Sequence, residues 1–397
     1  MMRPSTLSPT IATSHNCIFT ARSRALYLGL VTGFLSFLSA PTVRAQGTLT
    51  DSRDAYARGK PLSEWVLQST NYIPENRRDA VKAIAIIGPA ARAAVPALIR
   101  ATRDENIEVR YWALEALARI GPDARESIPA LLQSLAEDVR PNQLAARRAL
   151  ETVAPGSVPL LLPALRSRDA WVRANVAEAI GTIRSDAGKS VPALATLLAD
   201  DSLWVRASAA WALGRLGPDA KGSVKQLGHA LQAEVRLDPG FSSPGERVRV
   251  EQLVFALGRL GSPAKAFVPE MIDVLNDGDD SLRAIAADAL AGVGRDAVPA
   301  LAVAVRSSTP AVRAESARAL RLLGPDAEKA VPALIKVLET TDELEGGRES
   351  MIAVADALGG MGKKAKKSLP ALTRHLKSGS GDVLVAVRRA IRKIKEG

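Results

Sequence analysis

Along Val205 to Leu231 the hydrophobic residues follow a helical period, stop, and begin again. The first run ends at Gly217-Pro218, and the second starts after Asp219. Glycine closes helices because it accepts a positive φ, whereas proline cannot continue a helix but fits its first turn. The stretch therefore predicts two helices joined by a short turn, which together form a helical hairpin.

The same pattern recurs along most of the chain. Its second helices open on an apolar residue followed by proline, with Lys225 replacing the proline in one unit. These openings begin at Val95, Ile128, Val158, Val191, Val224, Val268, Val298, Val331 and Leu369, with successive spacings of 33, 30, 33, 33, 44, 30, 33 and 38 residues. Such a period of paired helices is typical of an α-solenoid, whose hairpins bury their apolar faces against one another. We expect nine full units over residues 76–381 and a basic half unit over 382–397 that caps the array.

The repeated phrase resembles the short HEAT repeat, in the HEAT-like form first described in phycobilisome lyases. It stands as DAWVRANVAEAIGTI at 169–183, LWVRASAAWALGRLGPDA at 203–220 and AVRAESARALRLLGPDA at 311–327. The resemblance covers about residues 76–394. It implies an all-α fold, a right-handed α-α superhelix of about nine to ten hairpins with convex first helices and concave second helices. The family consists chiefly of binding scaffolds, with a few enzymes among them.

Residues 1–45 do not follow the repeat. Two arginines precede the apolar run 25–39, and residues 43–45 offer the small side chains that a signal peptidase reads. We expect cleavage before Gln46 and export to the periplasm or the medium. A later start codon and an uncleaved membrane anchor are the alternatives, although a run of about 15 residues is short for a span of roughly 20. The only cysteine, Cys17, lies in this leader, so we expect no disulfides.

Residues 46–75 form the segment between the leader and the first repeat. Trp65, together with Leu62, Val66 and Leu67, predicts a short amphipathic helix in this segment. We expect this helix to cover the apolar end of the first repeat, and the alternative is an anchor for a partner helix.

An arginine follows an apolar residue early in most first helices, and that residue is valine except before Arg283, where it is leucine. The family resemblance implies a ladder in which the arginine of one unit bonds to a carboxylate or to backbone near the next, and a row that binds anions is the alternative. These arginines are Arg110, Arg173, Arg206, Arg249, Arg283 and Arg313. Trp171 and Trp204 occupy the same place in adjacent units, so we expect their rings to stack, either as packing or as a binding hot spot.

Two insertions break the period, and both fall between one unit's second helix and the next unit's first helix. The first adds about 11 residues around 237–245, and the second adds about 5 near 339–349. Because loops between units share one edge of a solenoid, both insertions mark either a binding edge or merely tolerated loops. Phe241, an apolar ring in the first insertion, is the candidate contact residue of this edge.

The concave groove is the second candidate surface. From the helical phase we expect polar positions of the second helices to face a protein partner there. These positions are Arg92, Glu126, Lys221, Lys225 and His229.

Charge is concentrated at the C-terminal end. The formal net charge is +11, of which residues 363–397 contribute +9 and residues 46–362 about −2. Such a cluster predicts salt-sensitive binding to a polyanion or an anionic membrane surface, and the alternative is a solvated cap that keeps array ends apart. Its candidate anion-binding residues are Lys363, Lys364, Lys366, Lys367, Arg388, Arg389, Arg392 and Lys393. We do not expect nucleic acid as a partner, because exported proteins rarely meet it.

Catalytic motifs are missing from the sequence. There is no HExxH, no CxxC and no glycine-rich phosphate loop after a strand. A HEAT-like di-iron hydroxylase needs repeated His-Glu pairs, and none occurs here. No pigment-binding residues of the lyases can be assigned. We therefore predict a monomeric, non-catalytic scaffold without cofactor or metal. A tether to an anionic surface is the alternative, and a lyase- or hydroxylase-type enzyme is a remote one.

Overall fold

The computed structural model of the chain describes residues 55–237, 240–241, 243–340, 347–378 and 381–396. These residues belong to one compact unit. The predicted signal peptide, residues 1–45, and the centre of the second insertion, residues 341–346, lie outside the described residues.

Helical hairpins stack in chain order, and the predicted all-α superhelix is confirmed. The first helices are α2 (Pro74–Ile87), α4 (Ile107–Ile120), α6 (Arg140–Val153), α7 (Ala170–Ile183), α9 (Leu203–Leu216), α11 (Pro244–Leu260), α13 (Asp280–Val293), α15 (Pro310–Leu323), α17 (Arg348–Gly360) and α19 (Gly381–Glu396). The second helices are α3 (Val95–Ala101), α5 (Ile128–Ser134), α8 (Ala187–Thr196), α10 (Val224–Leu237), α12 (Val268–Asp277), α14 (Val298–Ala304), α16 (Val331–Thr340) and α18 (Leu369–Ser378).

The turn inside a hairpin is itself helical. In the unit that contains α9 and α10, Gly217 ends α9 with φ 60°, and the chain continues as a 3₁₀ helix over Gly217–Ser223. Pro218 stands at the start of that segment, where its missing N–H is not needed. The tight turn brings the second helix back against the first.

One unit lacks an α-helical second element, which corrects the prediction of nine complete hairpins. After α6 the chain forms two 3₁₀ segments, Val158–Leu160 and Leu162–Arg166. This stretch carries Pro163 in addition to Pro159. A second proline inside the helix removes a backbone donor and clashes with the preceding turn, so a regular α-helix does not form.

A small β-hairpin precedes the array, although no strand is predicted from the sequence. β1 (Tyr56–Ala57) pairs antiparallel with β2 (Lys60–Pro61). The predicted helix follows as α1 (Leu62–Gln68). Trp65 is buried and donates from its indole N–H to the carbonyl of Ala57 at 2.9 Å. Leu67, in contrast to the prediction, is 74% exposed.

The first helices approach one another at glycine and alanine. A Cβ atom on Gly181 of α7 would lie 2.7 Å from Ala212 Cα of α9. A Cβ atom on Gly258 of α11 would lie 2.4 Å from Ala289 Cα of α13. Such distances leave no room for a side chain, so backbone packs directly on backbone.

An arginine ladder ties several units together. Arg173 donates two hydrogen bonds to Asp200 in the next unit, at 2.8 and 2.7 Å, and a third to the carbonyl of Ser167 at 2.7 Å. Arg110 likewise reaches Glu137 at 3.0 Å. The ladder is therefore confirmed at these two positions.

Arg77 is a ladder member that the sequence analysis missed, because no valine precedes it. It pairs with Asp104 at 2.7 and 2.8 Å, and these hydrogen bonds raise the pKa of Arg77 above its ordinary value. Among the described residues, Arg206 and Arg313 bond only to backbone carbonyls, which belong to the loop before their own helix. Arg283 adds a bond to Asp280 in its own unit.

Arg249 is not a ladder residue, contrary to the prediction. It lies one residue before the ladder position, which Val250 occupies, and is only 6% exposed. Its guanidinium pairs instead with Glu234 of α10. In this first helix the arginine of the V-R motif thus lies one residue before the ladder position.

The segment Pro74–Ala101 is long and apolar enough to cross a membrane by length and composition. It is the first hairpin of the array. Gly88, with φ 67°, separates α2 from α3, and the α2 residues Ala80, Val81 and Ile84 are fully buried. We assign the segment to the core.

We predict that Gly258→Ala destabilises the array. The added methyl group would collide with the backbone of α13, and overpacking of this kind costs about 1–3 kcal/mol. The melting temperature, followed by circular dichroism at 222 nm, measures the effect. Gly188→Ala is the matched control, because a Cβ atom there meets nothing within 4 Å. An unchanged melting temperature for Gly258→Ala would show that the first helices are not in close contact.

We predict that the Arg173–Asp200 pair makes stability depend on pH. Burial favours protonated Asp200, but hydrogen bonds from Arg173 and the Ser202 N–H outweigh it and lower the pKa of Asp200. The resulting stabilisation is complete above the ordinary carboxyl pKa of about 3.9 and is lost as pH falls through the lower folded-state value. Asp200→Asn should lower the unfolding free energy near neutral pH by about 1–3 kcal/mol and weaken its acid dependence.

Urea unfolding at several pH values measures both effects. Asp201→Asn changes the neighbouring exposed carboxylate and should leave the unfolding free energy nearly unchanged. Equal losses in the two variants would contradict a specific role for Asp200.

Candidate functional site

The second helices expose the same few residue types in most units. The proline of V-P-A-L faces outward, for example at Pro96, Pro192 and Pro332, whereas the alanine after it is buried or half-buried. In α10 the corresponding residues are Lys225 and Gln226, both exposed. Packing does not require these polar residues, so this unit departs from the repeat on its outward face.

The ring of His229 is held in a fixed position on that face. His229 is exposed and contacts the Phe267 ring edge to face, with centroids 5.9 Å apart. A Cβ atom on Gly228 would lie 2.2 Å from the Phe267 ring, so glycine is needed for this packing. The histidine is therefore presented to solvent from a rigid support.

Glu270 of α12 stands where most units have alanine. Gln232 of α10 donates an amide hydrogen bond to its Oε1 at 2.9 Å. Its Oε2 is buried and has no hydrogen-bond partner among the described residues. A buried carboxylate oxygen without a donor is costly, so packing alone does not explain a glutamate at this position.

Asp273 lies on the outward face of the same helix. Partial burial raises its pKa, and the neighbouring charges of Asp277 and Glu270 raise it further. The surface therefore has a basic end at Lys225 and an acidic end on α12. We call the residues Lys225, Gln226, His229, Gln232, Glu270 and Asp273 the α10/α12 surface.

In the first insertion, the described residue Phe241 packs into the core of the array. Phe241 is only 2% exposed, so the prediction that its ring is a contact residue of this edge is wrong. The chain re-enters α11 through a capping box in which Ser243 and Glu246 each bond the other's backbone N–H. The exposed apolar side chain at this edge is Leu237, at 79%. Asp238, Pro239 and Ser242 lie outside the described residues.

The predicted tryptophan stack is also wrong. The Arg140 guanidinium lies 5.3 Å from the Trp171 ring centroid, and Trp204 is 52% exposed. In the described part of the chain the aromatic ring contacts do not include the pair. The stacking of units rotates the two positions apart.

Five polar residues were predicted on the second helices, and all five are exposed. Lys225 and His229 lie on α10 as expected. Arg92, Glu126 and Lys221 lie instead in the 3₁₀ turns before the second helices, because those turns extend to Ala94, Ser127 and Ser223. They mark the edge of the array, and only the two α10 residues belong to the α10/α12 surface.

The basic end is exposed as well. Its lysines Lys363, Lys364, Lys366 and Lys367 lie in the 3₁₀ segment Gly362–Ser368, and Arg388, Arg389, Arg392 and Lys393 lie on α19. Lys364 pairs with Glu328 at 3.0 Å and Arg389 with Asp356 at 3.2 Å. The other six have no ion pair with the residues that the structure describes.

A cleft of about 380 Å³ opens at the edge between the units of α4 and α6. Its charged side chains pair with protein groups: Arg110 with Glu137, and Arg103 with Gln133 at 3.1 Å. Over the described ranges, no cluster of three or more His, Cys, Asp or Glu residues could hold a metal ion. The α10/α12 surface is thus the best-supported candidate site.

Comparison with protein families matches a model of HEAT repeats to residues 60–151, 158–237 and 268–350, together more than half of the chain. No curated protein matches the sequence.

Solved structures with a similar fold include nuclear transport receptors. Importin beta has a TM-score of 0.58 and 14% identity, over 84% of this chain and 54% of its own. Kap95p, in a structure with RanGDP, has a TM-score of 0.55 and 15% identity, over 84% of this chain and 50% of its own. Kap121p has a TM-score of 0.54 and 16% identity, over 84% of this chain and 41% of its own. The chain spans about half the length of these proteins or less, and the likeness concerns the fold alone.

Proposed function

Because the chain belongs to the HEAT repeat family, we propose that it is a non-catalytic scaffold that binds a protein partner on the α10/α12 surface. HEAT solenoids bind protein partners, which supports the general role. The observation that carries the specific proposal is the replacement of the outward proline by Lys225, and of the alanine after it by Gln226 and Glu270, in two adjacent units. Since the core does not need these side chains, a ligand is the physical reason to keep them.

The surface is suited to a preformed, polar interface. Its helices are rigid, so little conformational entropy is lost on binding. The exposed carboxylate of Asp273 offers an acceptor, and Lys225 offers a donor one turn before His229. The proposed partner therefore presents both a donor and an acceptor to neighbouring second helices.

The proposed compartment depends on residues 1–45. Their signal-peptide pattern supports export with Gln46 as the mature start, and retention of this segment as a membrane anchor is the alternative.

We predict that Lys225→Glu combined with His229→Ala weakens partner binding at least tenfold. Both side chains are exposed, so the fold should be unaffected, whereas losing two central contacts of an interface costs more than about 1.4 kcal/mol. Residues 46–397 serve as bait for an envelope fraction, and the recovered partner is then titrated calorimetrically against each variant.

Lys336→Glu is the matched control, because Lys336 occupies in α16 the place of His229 in α10. It should bind like the unmodified protein. Undiminished binding by the double variant, with an unchanged melting temperature, would rule out the α10/α12 surface.

A tether to an anionic surface is a second proposed function, favoured by the six basic side chains at the C-terminal end that form no ion pair with the described residues. Exposed cations of this kind attract anionic headgroups by about 1 kcal/mol each. No apolar segment needs to insert, so the attraction is purely electrostatic and is screened by salt.

We predict that reversing Lys363, Lys366, Lys367 and Arg392 to Glu abolishes sedimentation with phosphatidylglycerol vesicles. The unmodified protein should co-sediment at low salt and be released as salt approaches about 1 M. The control reverses Arg92, Arg125, Lys265 and Lys329, which are exposed cations of other 3₁₀ turns and give the same change in net charge. Equal loss in both variants would show that only total charge matters.

A further inference from the structure

The outward face of the first helices carries a row of charges. The residue that precedes the Ala-Leu or Ala-Ile pair of each first helix alternates between acid and base along much of the array. Arg148 of α6 pairs with Glu115 of α4 at 2.5 Å. Arg318 of α15 pairs with Asp288 of α13 at 2.6 Å, and Arg389 with Asp356 at 3.2 Å. We call this series the outer row.

The outer row is interrupted in the middle by two aromatic residues. Trp211 of α9 and Phe255 of α11 occupy its positions in adjacent units, and both are half-buried. Each ring sits on a glycine of the preceding first helix. A Cβ atom on Gly181 would lie 3.0 Å from the Trp211 ring, and one on Gly214 would lie 2.9 Å from the Phe255 ring. Because these glycines have no side chain, each ring can pack directly against the preceding helix.

An arginine follows each ring one helical turn later. The Arg215 guanidinium lies 5.7 Å from the centroid of the Trp211 ring. Arg259 stands in the same place after Phe255. Both are exposed, and neither has an ion pair with the described part of the chain. Two half-buried rings and two exposed guanidinium groups thus lie on adjacent first helices.

The neighbouring acids do not neutralise these arginines. Glu178, the outer-row residue before Trp211, is bonded to Arg147 at 2.5 Å and to the Ser208 hydroxyl at 2.9 Å. Asp288, the outer-row residue after Phe255, is paired with Arg318. Both acids are thus engaged by other side chains, and neither pairs with Arg215 or Arg259 among the described residues, so the positive charge of the aromatic centre is left for an external group.

We propose that Trp211, Arg215, Phe255 and Arg259 form a second docking surface, which binds an acidic peptide segment that carries an aromatic or large apolar side chain. Guanidinium groups bind carboxylates through paired hydrogen bonds, and the two rings provide stacking area for an apolar side chain. The surface lies on the first-helix layer, whereas the α10/α12 surface lies on the second-helix layer of the same units. The array can therefore hold two partners at once.

The test uses a random copolymer of glutamate and tyrosine as the probe, with polyglutamate and heparin beside it. The full mature chain with the four cap reversals, at Lys363, Lys366, Lys367 and Arg392, is the parent protein, because the basic end would otherwise bind any polyanion. We expect the copolymer to bind the parent more tightly than polyglutamate does. Arg215→Glu with Arg259→Glu should weaken copolymer binding at least tenfold.

Arg119→Glu with Arg125→Glu is the matched control, because Arg119 occupies in α4 the place of Arg215 in α9 and the net charge change is equal. It should leave copolymer binding unchanged. Trp211→Leu tests the apolar part and should remove the preference for the copolymer over polyglutamate. The proposal is overturned if the parent does not bind the copolymer, or if both arginine double variants weaken copolymer binding equally. It is also overturned if heparin binds the same arginines as tightly as the copolymer does.

Discussion

The array depends on the direct contact of neighbouring first helices. Where Gly181 faces Ala212 and Gly258 faces Ala289, the helices lie too close for any larger side chain. This contact explains why the chain is rich in alanine and why only 4% of its residues are aromatic. It also limits where function can be placed, because only residues on the outward faces and at the edges are free to vary.

Repetition makes such variation visible within one chain. Every unit serves as a reference for the others, so Lys225 in place of proline and Trp211 in place of a charged residue stand out as local exceptions. Both exceptions fall in the stretch from α9 to α12, which also carries the first insertion. The agreement of three departures in one region is stronger support for a functional centre than any one of them.

The sequence predicts the fold well because the signals are local and repeated. Glycine and proline at the hairpin turn, with helical spacing of apolar residues, were sufficient for element order and for most boundaries. Phe241 could not be placed in this way, since the composition of an insertion does not determine whether its ring turns inward. The tryptophan pair failed for a related reason: equal positions in two units are separated by the rotation between them. Arg249 shows a third limit, because a V-R motif does not reveal a register shift of one residue.

The arginine ladder is unequal along the chain, and this has a mechanical consequence. In the first units, half-buried pairs such as Arg77–Asp104 and Arg173–Asp200 join one unit to the next. Among the described residues, Arg313 bonds only within its own unit, and neighbouring ion pairs such as Arg295–Asp326 are exposed. An exposed ion pair stabilises less than a shielded one, so the junctions between units differ in strength. Under tension, the junctions that shielded pairs join should separate last.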